Sequence, residues 1–360
     1  MTHDTSDVGR MTIGLDLSDG HARYCVLDVP GQVVEQGRIA TTPEGIRRSL
    51  GIRPPALIAL EAGPHSPWVS RLLAELGHEV LVANARRLRM IYDNDSKSDA
   101  VDAESLARLA RVDPRLLAPI SHRSAEVQAD LALLRARQAM IRARTLLVNH
   151  VRGSVKAFGG RIPTCSTQSF GARYQDRIPE PLRPALLGLM EEIETLGARI
   201  RHSDYQLALL ADERYPETAR LRQVAGVGPL ISLAYVLTIA NPYRFKKSRT
   251  VGAYVGLRPR KDQSGQSSPQ LRITKAGDVD LRRLLVIGAH YILGPFGPDT
   301  DLRRMGLALA ARGGKNAKKR AIVAVARKLA VLLHHLWITG EDYVPLHNTV
   351  PKQRGVKVAV

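Results

Sequence analysis

The sequence predicts an α/β domain at the N-terminus, followed by two long helices and a helical C-terminal region. Three patterns indicate this architecture. Apolar runs come first and then alternate with helical segments, which is typical of a sheet covered by helices on both faces. Two later segments repeat apolar residues at the four-three spacing of paired helices. The chain then becomes helical again, and 360 residues, 44% of them hydrophobic, suffice for two or three domains.

The first three predicted strands form an antiparallel meander with turns at Asp19-Gly20 and Pro30-Gly31. A short helix behind Thr42-Pro43 follows, and then strands alternate with helices as far as Arg111. The predicted strands comprise residues 11–17, 23–27, 33–40, 56–60 and 79–82, with a helix over 67–76. This order of elements indicates a mixed sheet.

Residues 124–157 are predicted to form one long helix, with a seam of Val127, Leu131, Leu134, Ile141 and Val148. A second helix has the same spacing at Leu186, Leu189, Ile193, Leu196, Ile200, Leu207 and Leu210. The Gly- and Pro-containing segment 159–184 between them lets the two helices fold back as an antiparallel coiled-coil arm. The expected boundaries are 10–112 for the α/β domain, 113–215 for the arm, 216–345 for the C-terminal domain and 346–360 for a basic tail.

The charge balance predicts a nucleic-acid partner. Lys and Arg number 53 against 34 Asp and Glu, which gives a net charge of +19 and attracts polyanions. A solubilising surface is the alternative.

Cys25 and Cys165 cannot form a disulfide framework, so a cytoplasmic location is expected. No signal peptide is evident, and Gly226, Gly228 and Pro229 interrupt the long uncharged stretch, so no membrane span is expected.

Four carboxylates stand at positions where a metal site is expected. Asp16 lies in an apolar strand and Glu61 ends another, where a carboxylate is costly to bury unless it is paired or metal-bound. Asp99 and Asp102 open a helix, and their spacing places both on one face. Carboxylate oxygens suit Mg²⁺ or Mn²⁺. The alternatives are a helix cap for Asp99 and a turn residue for Asp16.

Three segments around these carboxylates carry a family resemblance: Gly14–Ser18, Leu60–Gly63 and Lys97–Ala103. They resemble the DEDD insertion-sequence transposases, which have a RuvC-like, ribonuclease H-like domain and members guided by a bridge RNA. The resemblance implies that the four carboxylates are catalytic metal ligands. A competing interpretation is an actin-like or sugar-kinase ATPase, which opens similarly. That fold predicts a second meander and a second phosphate-binding glycine turn, and neither follows residue 120.

The C-terminal region contains a glycine turn and a longer signature. Residues 223–230 look like a helix-hairpin-helix, in which the amides of Gly226 and Gly228 would hold a DNA phosphate; a plain helix-helix turn is the alternative. Segments 254–265, 272–278 and 281–285 resemble the C-terminal domain of the same transposases. That resemblance implies that Ser264 is the nucleophile. Gln266 and the residues after it depart from many relatives, so Ser267 and Ser268 stay open as alternatives.

Basic residues surround this signature. Arg258, Arg260, Lys261 and Arg272 can stabilise charge at phosphorus or contact the DNA backbone. A second group follows a glycine turn at the start of a helix and comprises Lys315, Lys318, Lys319 and Arg320. Its alternative is a solvated face. His334 and His335 lack a matching ligand set and are expected to be ordinary core or surface residues.

The charge balance and the acidic residues predict an enzyme that acts on nucleic acid. The family resemblance implies a transposase that cuts and rejoins DNA, with donor DNA, target DNA and a bridge RNA as partners. A dimer or tetramer is expected, and the sequence leaves open whether the carboxylates and the serine of one active site come from the same protomer or from different protomers. One alternative is a Holliday-junction-type nuclease that uses water as the nucleophile; the C-terminal signature disfavours it. The other is a non-catalytic nucleic-acid-binding scaffold, which the complete set of four acids disfavours.

Overall fold

The computed structural model describes residues 10–85, 99–265, 267, 269 and 271–348. The chain divides into two compact units, Met1–Ala125 and Glu126–Val360. Ser268, the segment Lys97-Ser98 of the family motif, and the predicted tail from residue 349 onward lie outside the described residues. The predicted division into three domains and a tail stays a prediction.

The first unit contains a five-stranded mixed sheet with strand order β3-β2-β1-β4-β5. Strands β1 to β3 form the predicted antiparallel meander, while β4 and β5 run parallel to β1. The strands are β1 Thr12–Leu17, β2 His21–Leu27, β3 Val33–Ala40, β4 Leu57–Glu61 and β5 Glu79–Ala83. The helices described in this unit are α1 Pro43–Leu50, α2 Ser66–Glu75 and α3 Asp99–Val112. The mixed sheet is compatible with the expected ribonuclease H-like domain.

The two faces of this sheet have different partners. Ile13 and Leu15 of β1 and Ile58 and Leu60 of β4 pack in one core with residues of α1 and α2. On the other face, Ala59 packs with residues of α3. Since side chains alternate along a strand, residue 16 of β1 and residue 61 of β4 belong to the α3 face.

Gly14 sets the distance between β1 and α3. A β-carbon built on Gly14 would lie 1.9 Å from the carbonyl oxygen of Ala103 and 2.8 Å from the amide nitrogen of Ala107. Both neighbours are backbone atoms, which cannot rotate away. A side chain at position 14 would therefore push the helix off the sheet.

Gly14→Ala is expected to lower the free energy of unfolding by about 3 kcal/mol, because it forces helix and strand apart. Urea denaturation followed by circular dichroism measures the change. Gly20→Ala is the matched control, since a β-carbon there meets no atom within 4 Å, and it should cost less than about 0.5 kcal/mol. Equal stability of the two variants would contradict the close packing of α3 on β1.

The second unit begins with two long antiparallel helices, α4 Ala125–Ala157 and α5 Arg183–Arg214, which we call the long hairpin. At its base, Asp130 accepts hydrogen bonds from Arg214 and Tyr215. At its far end, Val155 and Leu186 share one small core. Both predicted helices are thus confirmed. The seam differs from the predicted one, because α4 also buries three polar side chains: Asp130, Gln138 and Arg144.

The rest of the second unit forms a helical core that includes residues from the base of the long hairpin. Its helices are α6 Glu217–Leu221, α7 Pro229–Ile239, α8 Val251–Tyr254, α9 Val279–Leu293, α10 Asp301–Ala311 and α11 Ala317–Thr339. Helix α7 is buried from Ile231 to Ile239, and the hydroxyl of Tyr235 donates to the carbonyl oxygen of Ala330. His334 is buried and hydrogen-bonded to Pro242 and Ser248, so it is a core histidine.

Helix α11 is long and apolar enough to cross a membrane by length and composition. Its apolar residues nevertheless pack inside the helical core, among them Val325, Leu329 and Leu333. Its composition is therefore accounted for by its position in the core.

Candidate functional site

Asp16 and Glu61 lie next to each other at one edge of the sheet. Strands β1 and β4 are parallel, and Leu15 is paired with Leu60, so Asp16 and Glu61 are the next residues along the two strands. Both are half-buried and both belong to the α3 face. The carboxyl ends of two neighbouring parallel strands thus present two acids on the same face.

Helix α3 begins at this same edge. Near its other end, Arg111 donates to the carbonyl oxygens of Asp28 and Val29, which follow β2 at the opposite edge of the sheet. The helix therefore runs antiparallel to β1, and its start lies beyond Gly14 on the side of Asp16. Asp102 directly precedes the sheet-facing Ala103 and is half-buried. The backbone of Asp99 opens the helix; its side chain is outside the described set.

Sequence reasoning missed several neighbours of these acids. Arg23 is paired directly across from Asp16 in the antiparallel register of β1 and β2. The loops that follow β1 and β4 are joined by a 3.0 Å contact between Asp19 Oδ1 and His65 Nε2. Trp68 Nε1 donates to His65 Nδ1, so Nε2 carries the proton that Asp19 accepts. The predicted turn at Asp19-Gly20 could have located Arg23 opposite Asp16, whereas the contact between Asp19 and His65 is tertiary and no local pattern signals it.

A serine and a second histidine complete the loop after β4. The hydroxyl of Ser66 bonds Gly63 and lies 2.9 Å from Nε2 of His122. Burial, together with the charges of Arg71 and Arg123, lowers the pKa of His122. The lowered pKa favours the neutral imidazole, which holds the loop next to Glu61 by a hydrogen bond.

The edge that carries Asp16, Glu61 and Asp102, which we call the acidic edge, offers the type of donor that a divalent cation requires. The donors are carboxylate oxygens, which hard cations such as Mg²⁺ and Mn²⁺ prefer, and they lie at one end of two strands and one helix. Among the side chains that the structure describes, no three His, Cys, Asp or Glu residues are close enough to form a metal site. The side chain of Asp99 is not in that set, so the predicted four-carboxylate site stays a prediction.

Ser264 lies at the exposed tip of an antiparallel loop, which we call the serine loop and whose described residues are 256–265, 267, 269 and 271–275. Its two sides are joined by hydrogen bonds from Arg260 to Arg272 and from Thr274 to Arg258. At the tip, the amides of Ser264 and Ser267 donate to each other's carbonyl oxygens across a tight turn at Gly265, whose φ is +52°. Both serine side chains are exposed. The hydroxyl of Ser264 is therefore accessible to a large substrate.

The root of the serine loop is fixed by close backbone packing. A β-carbon on Gly256 would lie 2.1 Å from the carbonyl oxygen of Ala276, and one on Gly277 would lie 2.1 Å from that of Tyr254. Arg282 of α9 also donates to the carbonyl oxygens of Val255 and Ala276. The nucleophile candidate thus projects from a rigid base. Arg282 was not among the predicted site residues.

The predicted basic residues of the serine loop are all exposed: Arg258, Arg260, Lys261 and Arg272. The hydrogen bond from the amide of Arg260 to the carbonyl of Arg272 places these two residues side by side on opposite strands of the loop. Side chains in this arrangement can bind phosphate oxygens next to the serine. Their contact with DNA stays a prediction.

The two glycines predicted to bind phosphate differ in their surroundings. Gly226 has a φ of +83°, and a β-carbon there would lie 2.9 Å from the carbonyl oxygen of Gly288 in α9. Close packing of the turn on α9 is therefore a sufficient reason for glycine at this position. Gly228 is exposed at the N-terminus of α7, with open space around it. Only Gly228 offers the open surface that a phosphate requires.

The second basic group occupies the turn between α10 and α11. Gly313, Gly314 and Asn316 adopt positive φ angles, which reverse the chain. Four exposed cations follow on this turn and on the first turn of α11: Lys315, Lys318, Lys319 and Arg320. They form a positive surface next to a helix N-terminus, which suits nucleic-acid phosphates.

Comparison with known families gives two matches along the chain. Residues 13–158 match the profile of a DEDD-type transposase of the IS110 group. Residues 218–299 match the transposase profile of the IS116/IS110/IS902 family. The first match contains the four carboxylates and the second contains Ser264.

Individual transposases are similar over most of the chain. A family 20 transposase of Pseudomonas aeruginosa is 33% identical over 302 residues, covering 81% of this chain and 87% of the relative. A transposase of Sinorhizobium fredii is 33% identical over 297 residues, 81% of this chain and 75% of the relative. The transposase for the insertion sequence element IS1111A of Coxiella burnetii is 27% identical over 344 residues, 92% and 90% of the two chains.

Proposed function

This chain belongs to the IS116/IS110/IS902 family of insertion-sequence transposases, and we propose that it cuts and rejoins DNA with an acidic metal site and a serine nucleophile. One observation carries the catalytic part of the proposal. Asp16 and Glu61 follow the paired residues Leu15 and Leu60 on neighbouring parallel strands, on the face and at the edge where α3 begins. Two acids that share one face and one edge are expected where a phosphodiester is held for cleavage.

Asp16, Glu61, Asp99 and Asp102 are the residues that would hold Mg²⁺ or Mn²⁺. A bound divalent cation would stabilise the negative charge that develops on the phosphate oxygens. Arg23 of β2, which is paired with Asp16 of β1, adds a positive charge beside the carboxylates. The contact between Asp19 and His65 ties together the loops that extend from the two acid-bearing strands.

Ser264 is the proposed nucleophile. Its hydroxyl oxygen attacks phosphorus, so that an Oγ–P bond forms, the bond from phosphorus to the leaving strand's oxygen breaks, and the serine proton passes to that oxygen or to solvent. The strand is then held as a phosphoserine, and attack by a new DNA end reverses the step and releases the serine. Arg260 and Arg272 at the sides of the loop supply positive charge for the phosphate.

The exposed serine loop favours this mechanism over a hydrolytic resolvase, which would need only the acidic unit and water. A catalytically silent scaffold would require neither the acids at paired strand ends nor the exposed hydroxyl. We further propose, from the family resemblance, that a bridge RNA guides the protein and that the long hairpin assembles it into a dimer or tetramer. A cytoplasmic location is part of the same proposal.

The nucleic-acid partners can be tested by binding. The purified protein is expected to form an oligomer that binds a structured RNA and duplex DNA with strong salt dependence, because many phosphate contacts release counterions. A plot of log affinity against log salt has a negative slope. Lys318→Ala/Lys319→Ala should make this slope less steep by about 1.8, since each lost contact contributes about 0.9. Fluorescence anisotropy over a salt series measures this slope.

Arg47→Ala/Arg48→Ala is the matched control, because it removes two exposed charges from α1, outside the proposed surface. Its slope should stay close to that of the unmodified protein. A nucleic-acid-free monomer that binds neither ligand at moderate salt would contradict the proposed partners.

A further inference from the structure

The middle of the long hairpin contains a buried cation that forms no salt bridge with any acid in the described part of the chain. Arg144 lies on the α5-facing side of α4 and is only 4% exposed. Its Nε is buried without any hydrogen-bond partner among the described residues. Asp204 of α5 attracts Arg144, but its carboxylate is bound at 2.5 Å by Arg137. An unpaired charge in such a place is costly, and helix seams normally avoid it.

A second guanidinium group approaches the first. A β-carbon placed on Gly197 of α5 would lie 3.7 Å from Nη1 of Arg144 and 3.6 Å from Nη1 of Arg201. The two cations therefore converge on a position that has no side chain. Burial, and then the charges of Arg137 and Arg201, lower the pKa of Arg144. Because Gly197 has no side chain, an anion can fit between the two guanidinium groups and be attracted by both.

The same residues line a pocket of about 730 Å³ between α5 and the segment after α4, which we call the hairpin pocket. Arg173 joins Arg144 and Arg201 in its wall, and Glu194 is its only acid among the lining residues, so three guanidinium groups and one carboxylate leave a net charge of +2. Hydroxyl groups also line the pocket: Thr167, Ser169 and Thr195. Guanidinium and hydroxyl groups are the usual partners of phosphate oxygens.

We propose that the hairpin pocket binds a phosphodiester group of a nucleic-acid strand, with Arg144 and Arg201 as its anchoring cations. A phosphate seated there would give Arg144 the acceptor that the protein does not provide, and it would neutralise the converging charges. The positive lining favours a polyanion. The inference rests on the proposed function only in that the protein binds a nucleic acid.

Arg144→Met tests the site, because methionine has a similar length and suits an apolar helix seam. Anisotropy titrations with a labelled single-stranded RNA oligonucleotide and a duplex DNA, over a series of salt concentrations, are the measurement. For at least one of the two probes, the affinity is expected to fall about tenfold. The slope of log affinity against log salt should become less steep by about 0.7 to 0.9. Arg199→Met is the matched control: it removes one exposed charge from α5, the helix that carries Arg201, and should change affinity less than about twofold.

Thermal melting without nucleic acid separates binding from folding. Arg144→Met should melt at or above the temperature of the unmodified protein, since an unpaired buried charge is removed. A clear loss of thermal stability with an unchanged salt slope would show that Arg144 is structural and would overturn the proposal. If Arg144→Met does not fold, Arg201→Gln is the deciding variant, because Arg201 is exposed and its replacement should not disturb folding. The slope of log affinity against log salt must then become less steep in Arg201→Gln for the proposal to stand.

Thermal melting with added inorganic phosphate is the last measurement. If phosphate raises the melting temperature of the unmodified protein but Arg144→Met binds both nucleic acids normally, the pocket holds a free phosphate and the nucleic-acid proposal is wrong. Failure of the unmodified protein to bind either nucleic acid would instead reject the proposed function. The two failures are therefore distinguishable.

Discussion

Asp16→Asn is expected to abolish DNA cleavage and rejoining while the protein stays folded. Asparagine keeps the size of the side chain and one acceptor oxygen but removes the charge that would hold a divalent cation. Such a cation contributes several kcal/mol at the transition state, so the rate should fall by at least about a thousandfold. A plasmid recombination assay measures product, and circular dichroism checks the fold. Glu61→Gln and Asp102→Asn should behave alike.

Glu104→Gln is the matched control for the acidic site. Glu104 lies on the same helix as Asp102 but is engaged with Arg108 and Gln36, so its loss should leave most of the activity. Chelation of divalent cations should stop the unmodified protein, and added Mg²⁺ or Mn²⁺ should restore it. Full activity of Asp16→Asn would remove the acidic edge from the mechanism.

The sequence predicted the first unit well because its strands are local patterns. Apolar runs with turn residues between them specify the meander, and an acid that interrupts such a run is visible without a structure. The turn at Asp19-Gly20 also specifies the pairing of Asp16 with Arg23. The contact of Asp19 with His65 depends on which loops become neighbours, and these two positions, 46 residues apart, carry no shared local signal.

The long hairpin shows a different limit. Its helices were predicted from heptad spacing, which correctly located Leu131, Leu134 and Val148. The same spacing does not reveal that Arg144 is turned inward, because an arginine at helical spacing is usually solvent-exposed. Gly226 was predicted as a phosphate contact from its glycine turn alone. Its packing against Gly288 depends on α9, which is about 60 residues away.

Ser264→Ala is expected to eliminate a covalent protein–DNA intermediate and leave DNA binding within about twofold. The turn at the tip depends on backbone hydrogen bonds between residues 264 and 267, and alanine keeps them, so the loop geometry should persist. A phosphoserine retains the energy of the phosphodiester for rejoining, whereas attack by water discards it. The products of a recombinase and of a hydrolytic nuclease therefore differ in kind.

A suicide DNA substrate, whose leaving strand is lost after cleavage, traps the intermediate for mass spectrometry of the tryptic peptides. The adduct is expected on Ser264 and absent in Ser264→Ala. Ser267→Ala is the matched control, because this serine faces Ser264 across the same turn, and it should still form the adduct. An adduct on Ser267 or Ser268 would move the nucleophile within the loop. Cleavage that persists when all three serines are alanine would remove serine chemistry from this transposase and leave water, activated at the acidic edge, as the nucleophile.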